Sequence, residues 1–172
     1  MSIVRSQQSV DFEQLWRELP RAGLIPDRQA FKPRSAKAFL RHLIMLQAPV
    51  DDATLRVRLV GDSIRQQIGR DIVGQDFFEF MGLERRSAAL EIIRAMFERP
   101  SGVWWVAPVH YERGFSQYWE MTAFPLAGHE RNAPAVLGLI RPVDALLDSR
   151  LTDQKAIRVD LAVQFAFLEI GR

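Results

Sequence analysis

Hydrophobic and polar positions follow two alternating periods along this chain. Phe12, Leu15, Trp16 and Leu19 fall at the spacing of one helix face. Asp11 is the predicted N-cap, Pro20 and Gly23 end the helix, and polar residues 1–10 read as frayed. Leu24, Ile25 and Pro26 predict an extended linker, Asp27 a capped turn, and Pro33 the start of a short helix over 33–40. The period then changes to two. Residues 42–48 predict a short strand, Pro49, Asp51 and Asp52 a turn, and the alternation of Leu55, Val57 and Leu59 with Arg56 and Arg58 a half-buried strand.

Asp62 is expected to cap a helix that Gly69 stops after Ile68, and 71–81 predict another small helix around Gly74. Leu83, Leu90, Ile93 and Phe97 share one face of a longer helix over 83–98, ended by Pro100 and Gly102. Two long strands follow, 103–111 and 115–126, joined by Glu112, Arg113 and Gly114. Pro108 requires an unpaired N–H or a bulge within the first of them. Residues 127–134 predict a loop, 135–141 a fifth strand and 143–150 a helical turn. In 157–168 every second residue is apolar, from Ile157 through Val159, Leu161, Val163 and Phe165 to Phe167, which predicts a strand. Ile157, Leu161, Phe165 and Leu168 also fit a helical face. In either form the apolar side needs cover from the domain or from a second copy.

Strand, strand, short helices, one longer helix and three strands make an α+β fold: a five-stranded antiparallel sheet with helices on one face. Three parts are expected: an N-terminal helical cap (1–41), a core (42–142) and a C-terminal extension (143–172). A parallel α/β fold would need regular strand–helix alternation and a phosphate loop, and neither is visible.

Trp16 followed by Gly23, Pro26, Asp27 and Arg28, then the stretch Phe31–Leu43, then Arg58, Leu59, Val60 and Gly61 ahead of Gly69, Arg70, Asp71 and Gly74 carry a family likeness. In order and spacing they resemble a PAS domain, and among these the small stand-alone PAS-like proteins common in alphaproteobacteria. The likeness spans most of residues 12–145. It implies a sensor, ligand-binding module or dimerisation surface, acting through a partner such as a histidine kinase or a cyclase.

Composition narrows the chemistry. The chain has no cysteine, which excludes disulfides, thiolate metal sites, a cysteine nucleophile and a cysteinyl flavin adduct. His42, His110 and His129 lie on separate elements, so no metal site is expected. No cofactor is expected either, haem and flavin both being disfavoured. Lys and Arg number 23 against 21 Asp and Glu, and the signs are interspersed, so nucleic acid is not an expected partner. With no signal segment and no apolar run long enough to span a bilayer, a cytoplasmic location is expected. No serine elbow or convergent acid–base pair appears, so the chain is not read as an enzyme.

Three sets of residues remain. Gly61, Asp62, Gly69, Arg70, Asp71 and Gly74 read as turn and cap residues, with Arg70 either paired to an acid or facing an anionic ligand. The aromatic hairpin carries large side chains on both faces. Arg58, Trp105, His110, Gln117, Tyr118 and Trp119 are the candidate ligand-binding residues, although alternation does not place all the polar ones on one side. Phe12, Leu15, Trp16, Leu19, Val163, Phe165 and Phe167 are the candidate interface of a homodimer. The expected function is a non-catalytic sensory or adaptor domain working through protein contacts. The alternative is a small-molecule sensor with an apolar cleft between sheet and helices.

Overall fold

The computed structural model of the chain describes residues 2–48, 54–129, 132–144 and 155–170. The first helix, α1 (Gln7–Arg17), begins five residues before the expected start. Ser6 caps it, its side chain accepting from the Ser9 amide, so Asp11 is interior. The Ser6 amide and hydroxyl both donate to the Glu120 carboxylate. That tertiary partner orders a segment whose polarity reads locally as frayed. Asp27 accepts from the Gln29 amide at the start of a short turn, and the helix expected at 33–40 is a 3-10 turn over Pro33–Ala36.

The sheet contains β1 (Leu43–Gln47), β2 (Arg56–Val60), β3 (Ser101–Tyr111), β4 (Ser116–Leu126), β5 (Ala135–Pro142), β6 (Ala156–Val159) and β7 (Gln164–Glu169). All pairings are antiparallel, in the order β2-β1-β5-β4-β3, with β6 and β7 sharing the outer edge of β3. The single strand expected over 157–168 is therefore two strands separated by 160–163, which add to the five expected core strands at the β3 edge among the described residues. Pro108 explains the break. The Asp160 amide donates to the Pro108 carbonyl and the Val163 amide to the Val106 carbonyl. The missing Pro108 N–H therefore faces the gap where the edge partner changes from β6 to β7. The helical turn expected at 143–150 falls mostly on 145–150, outside the described residues.

Between β2 and β3 run α2 (Asp62–Ile68), α3 (Phe78–Met81) and α4 (Arg86–Glu98). Gly61, not Asp62, takes the N-cap position of α2. A Cβ on Gly61 would lie 2.2 Å from the Leu40 carbonyl oxygen, so only glycine lets the two backbone segments meet there. Gly69 ends α2 in the left-handed region at φ 80°. Asp71 caps no helix. Its side chain accepts from the Val73 amide in a local turn.

Strand alternation divides the sheet into two faces. Ile44, Leu46, Val57, Met121, Ala123 and Val136 face the helices, together with Ile64, Phe78 and Met96. Leu43, Met45, Phe124, Leu126, Leu137 and Leu139 face the other way and are covered by Phe12 and Trp16 of α1. Trp16 stacks on Phe124 with ring centroids 5.0 Å apart and donates its indole N–H to the Pro125 carbonyl at 2.9 Å. Both Phe12 and Trp16 are fully buried. Burying an aromatic of this size contributes roughly 4–6 kcal/mol as an upper bound. The α1 cap is thus a structural layer of the sheet, with its apolar stripe consumed.

Candidate ligand cavity

The helix-facing side of the sheet is not completely filled. A cavity of about 320 Å³ lies between α2, α3 and the strands β3, β4, β5 and β6. Trp105, Trp119, Phe77, Phe80 and Ile140 are among its walls, which are mostly apolar. Tyr111 accepts the Trp119 indole N–H through its hydroxyl at 2.7 Å. This bond satisfies the Trp119 donor and holds both rings against the cavity. One wall comes from Ala156, Ile157, Arg158 and Val159. The strand β6 touches both α2 and α3 across the opening.

The polar groups are few. Gln67 is 5% exposed, lines the cavity from α2, and its Oε1 has no hydrogen-bond partner. An unpaired buried acceptor costs about 1–3 kcal/mol, and this oxygen retains the capacity to accept a donor. Arg70 and Glu79 stand at the rim, and the Arg70 guanidinium lies 4.9 Å from the centre of the Phe80 ring. Glu120 reaches the cavity from β4, yet its carboxylate is held at the opposite face by Ser6, by the Trp104 indole at 2.7 Å and by Arg141 at 3.2 Å.

The family profile described as PAS domain matches residues 4–141. The chain belongs to the PAS-domain family. Solved structures similar to this PAS domain include a light-oxygen-voltage domain studied with a flavin analogue, at 15% identity, covering 69% of this chain and 88% of that one with a TM-score of 0.46. The light-oxygen-voltage protein of Rhodobacter sphaeroides is 12% identical, with 85% and 74% covered and a TM-score of 0.45. A PAS domain from Colwellia psychrerythraea is 13% identical, with 63% and 93% covered and a TM-score of 0.44. No curated protein matches the chain. The family is one of non-catalytic sensory domains.

The expectation that disfavoured flavin is overturned, because light-oxygen-voltage domains, one of them studied with a flavin analogue, stand among the similar structures. The sequence offered no motif that points to a flavin, and a cavity formed by packing between elements leaves none. The absence of cysteine removes a covalent adduct and says nothing about non-covalent binding in an aromatic cavity.

Of the six ligand-binding candidates, Trp105 and Trp119 meet on the cavity wall. Gln117 is on the same face of β4 and buried, with both amide atoms lacking partners, but it does not line the cavity. Tyr118 is 42% exposed, and Arg58 donates to the Gln47 side chain at 2.8 Å on the surface. His110 lies on the far side of β3, bonded to Ser116 at 2.6 Å and to Asp160 at 2.7 Å. That hydrogen bond, with the nearby Arg158, holds the Asp160 carboxyl below its ordinary value. His129 pairs with Asp27. The described residues contain no group of three or more His, Cys, Asp or Glu placed to hold a metal.

Gln67, Phe77, Phe80 and Tyr111 were not among the candidates. Gln67 follows Ile64 by three residues on α2, so helical spacing alone could have placed it on the inward face. The interface candidates divide. Phe12, Trp16 and Leu19 are buried and Leu15 packs beside them, whereas Val163, Phe165 and Phe167 are 54%, 42% and 51% exposed. Among the described residues no helix is long and apolar enough to cross a membrane.

Proposed function

We propose that this PAS domain is a small-molecule sensor whose ligand occupies the cavity between α2, α3 and the sheet. The carrying observation is a buried amide acceptor without a partner, Gln67 Oε1, inside an otherwise apolar cavity. Ligand sites are largely apolar with a small number of placed polar groups, and a volume near 320 Å³ is at the compact end of their range. Trp105, Trp119, Tyr111 and Phe80 offer ring faces and edges to a flat molecule. The residues present suit a heteroaromatic ring with an N–H group, a description that includes the ring of a flavin. Gln67 would receive that N–H, and the aromatic walls would exclude water from the ring.

A neutral fluorescent probe with an apolar body and an N–H, N-phenyl-1-naphthylamine, tests the reading. The wild-type protein is expected to bind it at one site with enhanced emission. Ala107 is 4% exposed and lines the cavity, so Ala107→Trp should fill the space and reduce binding at least tenfold while the folded circular dichroism persists. Equal binding by the wild type and a folded Ala107→Trp would contradict the assignment.

A further inference from the structure

The rim of the cavity carries charge that the interior does not. Arg70 follows the left-handed turn at Gly69 and lines the opening. Among the described residues it has no carboxylate partner. Its guanidinium lies over Phe80, itself a wall of the cavity. Lys155, immediately before β6, lies beside the Gly69 turn without lining the cavity itself. A Cβ built on Gly69 would lie 2.5 Å from the Lys155 Cε, so the lysine stem runs directly over the turn that presents Arg70. Lys155 likewise has no carboxylate partner among the described residues.

The remaining charges at this place are accounted for. Glu79 lines the rim and is the one carboxylate there without a basic partner among the described residues. Arg65 is taken up by Asp62 and Asp71. The Arg158 guanidinium is taken up by Asp160 at 2.9 Å and lies against His110. Arg70 at the rim and Lys155 beside its turn therefore outnumber the one unpaired carboxylate, a positive surplus next to an apolar interior. Lys155 also lies beyond the segment 4–141 that the family profile matches.

We propose that the ligand is an amphipathic anion. Its apolar, partly aromatic body fills the cavity and donates an N–H or O–H to Gln67. Its acidic group lies at the rim between Arg70 of the core and Lys155 of the C-terminal extension. The inference rests on the cavity being the ligand site and adds the ligand's charge and the part of the chain that reads it. Because Arg70 follows α2 and Lys155 precedes β6, an anion held by both also joins β6 to α2.

The test compares 1-anilinonaphthalene-8-sulfonate with its neutral counterpart N-phenyl-1-naphthylamine, which keeps the same body and N–H. Arg70→Gln and Lys155→Gln change exposed side chains, so the fold should persist. Each is expected to weaken the sulfonate probe by about three- to fivefold at low salt, the range of partly solvated charge pairs. Each should leave the neutral probe within twofold, and the loss should shrink as salt is raised. Binding of both probes with equal response to the two substitutions would overturn the anion inference and leave the cavity reading in place. Failure of the neutral probe to bind the wild type would overturn the cavity reading and this inference with it, whereas failure of the sulfonate probe alone would overturn only this inference. Sulfonate binding that survives Ala107→Trp would locate the probe outside the cavity and overturn the inference as well.

Discussion

At the scale of single residues, the domain places its buried polar groups unequally. Glu120 is 2% exposed and is satisfied by Ser6, Trp104 and Arg141. Gln67 is as well buried and leaves an acceptor unpaired. The first arrangement stabilises the fold, while the second costs stability in the ligand-free protein. Gln67→Leu is accordingly expected to raise the unfolding free energy of the free protein by about 1 kcal/mol. The same change should weaken N-phenyl-1-naphthylamine by about five- to tenfold through loss of one buried hydrogen bond. Urea unfolding and the fluorescence titration read the two effects, and a variant that loses stability while binding unchanged would contradict the role given to this amide.

Elements decide which of these residues meet. The alternation in β3 and β4 was enough to bring Trp105 and Trp119 to one face, and both line the cavity. It also separated His110 and Tyr118 from them, as period-two geometry demands. The sequence pattern could not give the identity of the opposite wall. That wall depends on how α2 and α3 lie over the sheet and on β6 returning to the edge of β3, contacts between residues far apart in sequence. The same limitation explains the N-terminal segment, where the partner of Ser6 is Glu120. Local polarity predicted fraying because the ordering contact is tertiary. The tail shows a third case. Its unbroken alternation read as one strand, yet Pro108 on the neighbouring strand forces two.

The attachment of β6 gives a pH prediction at this scale. His110 bonds to Asp160, and the Asp160 carboxyl titrates below its ordinary 3.8. A carboxylate with a depressed folded value adds stability above its unfolded value and loses it as pH falls through the folded one. The tie is thus intact at neutral pH and released only in acid below 3.8. Asp160→Asn should reduce amide protection across 156–159 at pH 6 by up to about fivefold, the range of exposed pairs. The difference from wild type should disappear below the folded value. A difference that persists unchanged in strong acid would show that the substitution acts through something other than this charge.

In the whole molecule, one sheet serves two purposes. Its outer face is sealed by α1 through Phe12 and Trp16, and its inner face is left partly open beneath short helices. The general α+β order of strands and helices was legible because each segment carries its own period and its own stop residues. The cavity was not legible, because a void is a property of packing between elements and leaves no period of its own. The extension beyond residue 141 supplies both the edge of the sheet and one side of the cavity. A ligand in this cavity would therefore stabilise the docking of that extension, as any ligand favouring the closed arrangement must.

Backbone hydrogen exchange with and without saturating N-phenyl-1-naphthylamine tests the central claim most directly. The cavity account predicts slower exchange in α2, α3 and residues 156–159 together, with α1 unchanged. Protection confined to β7 or to α1, with α2 and β6 unaffected, would contradict it.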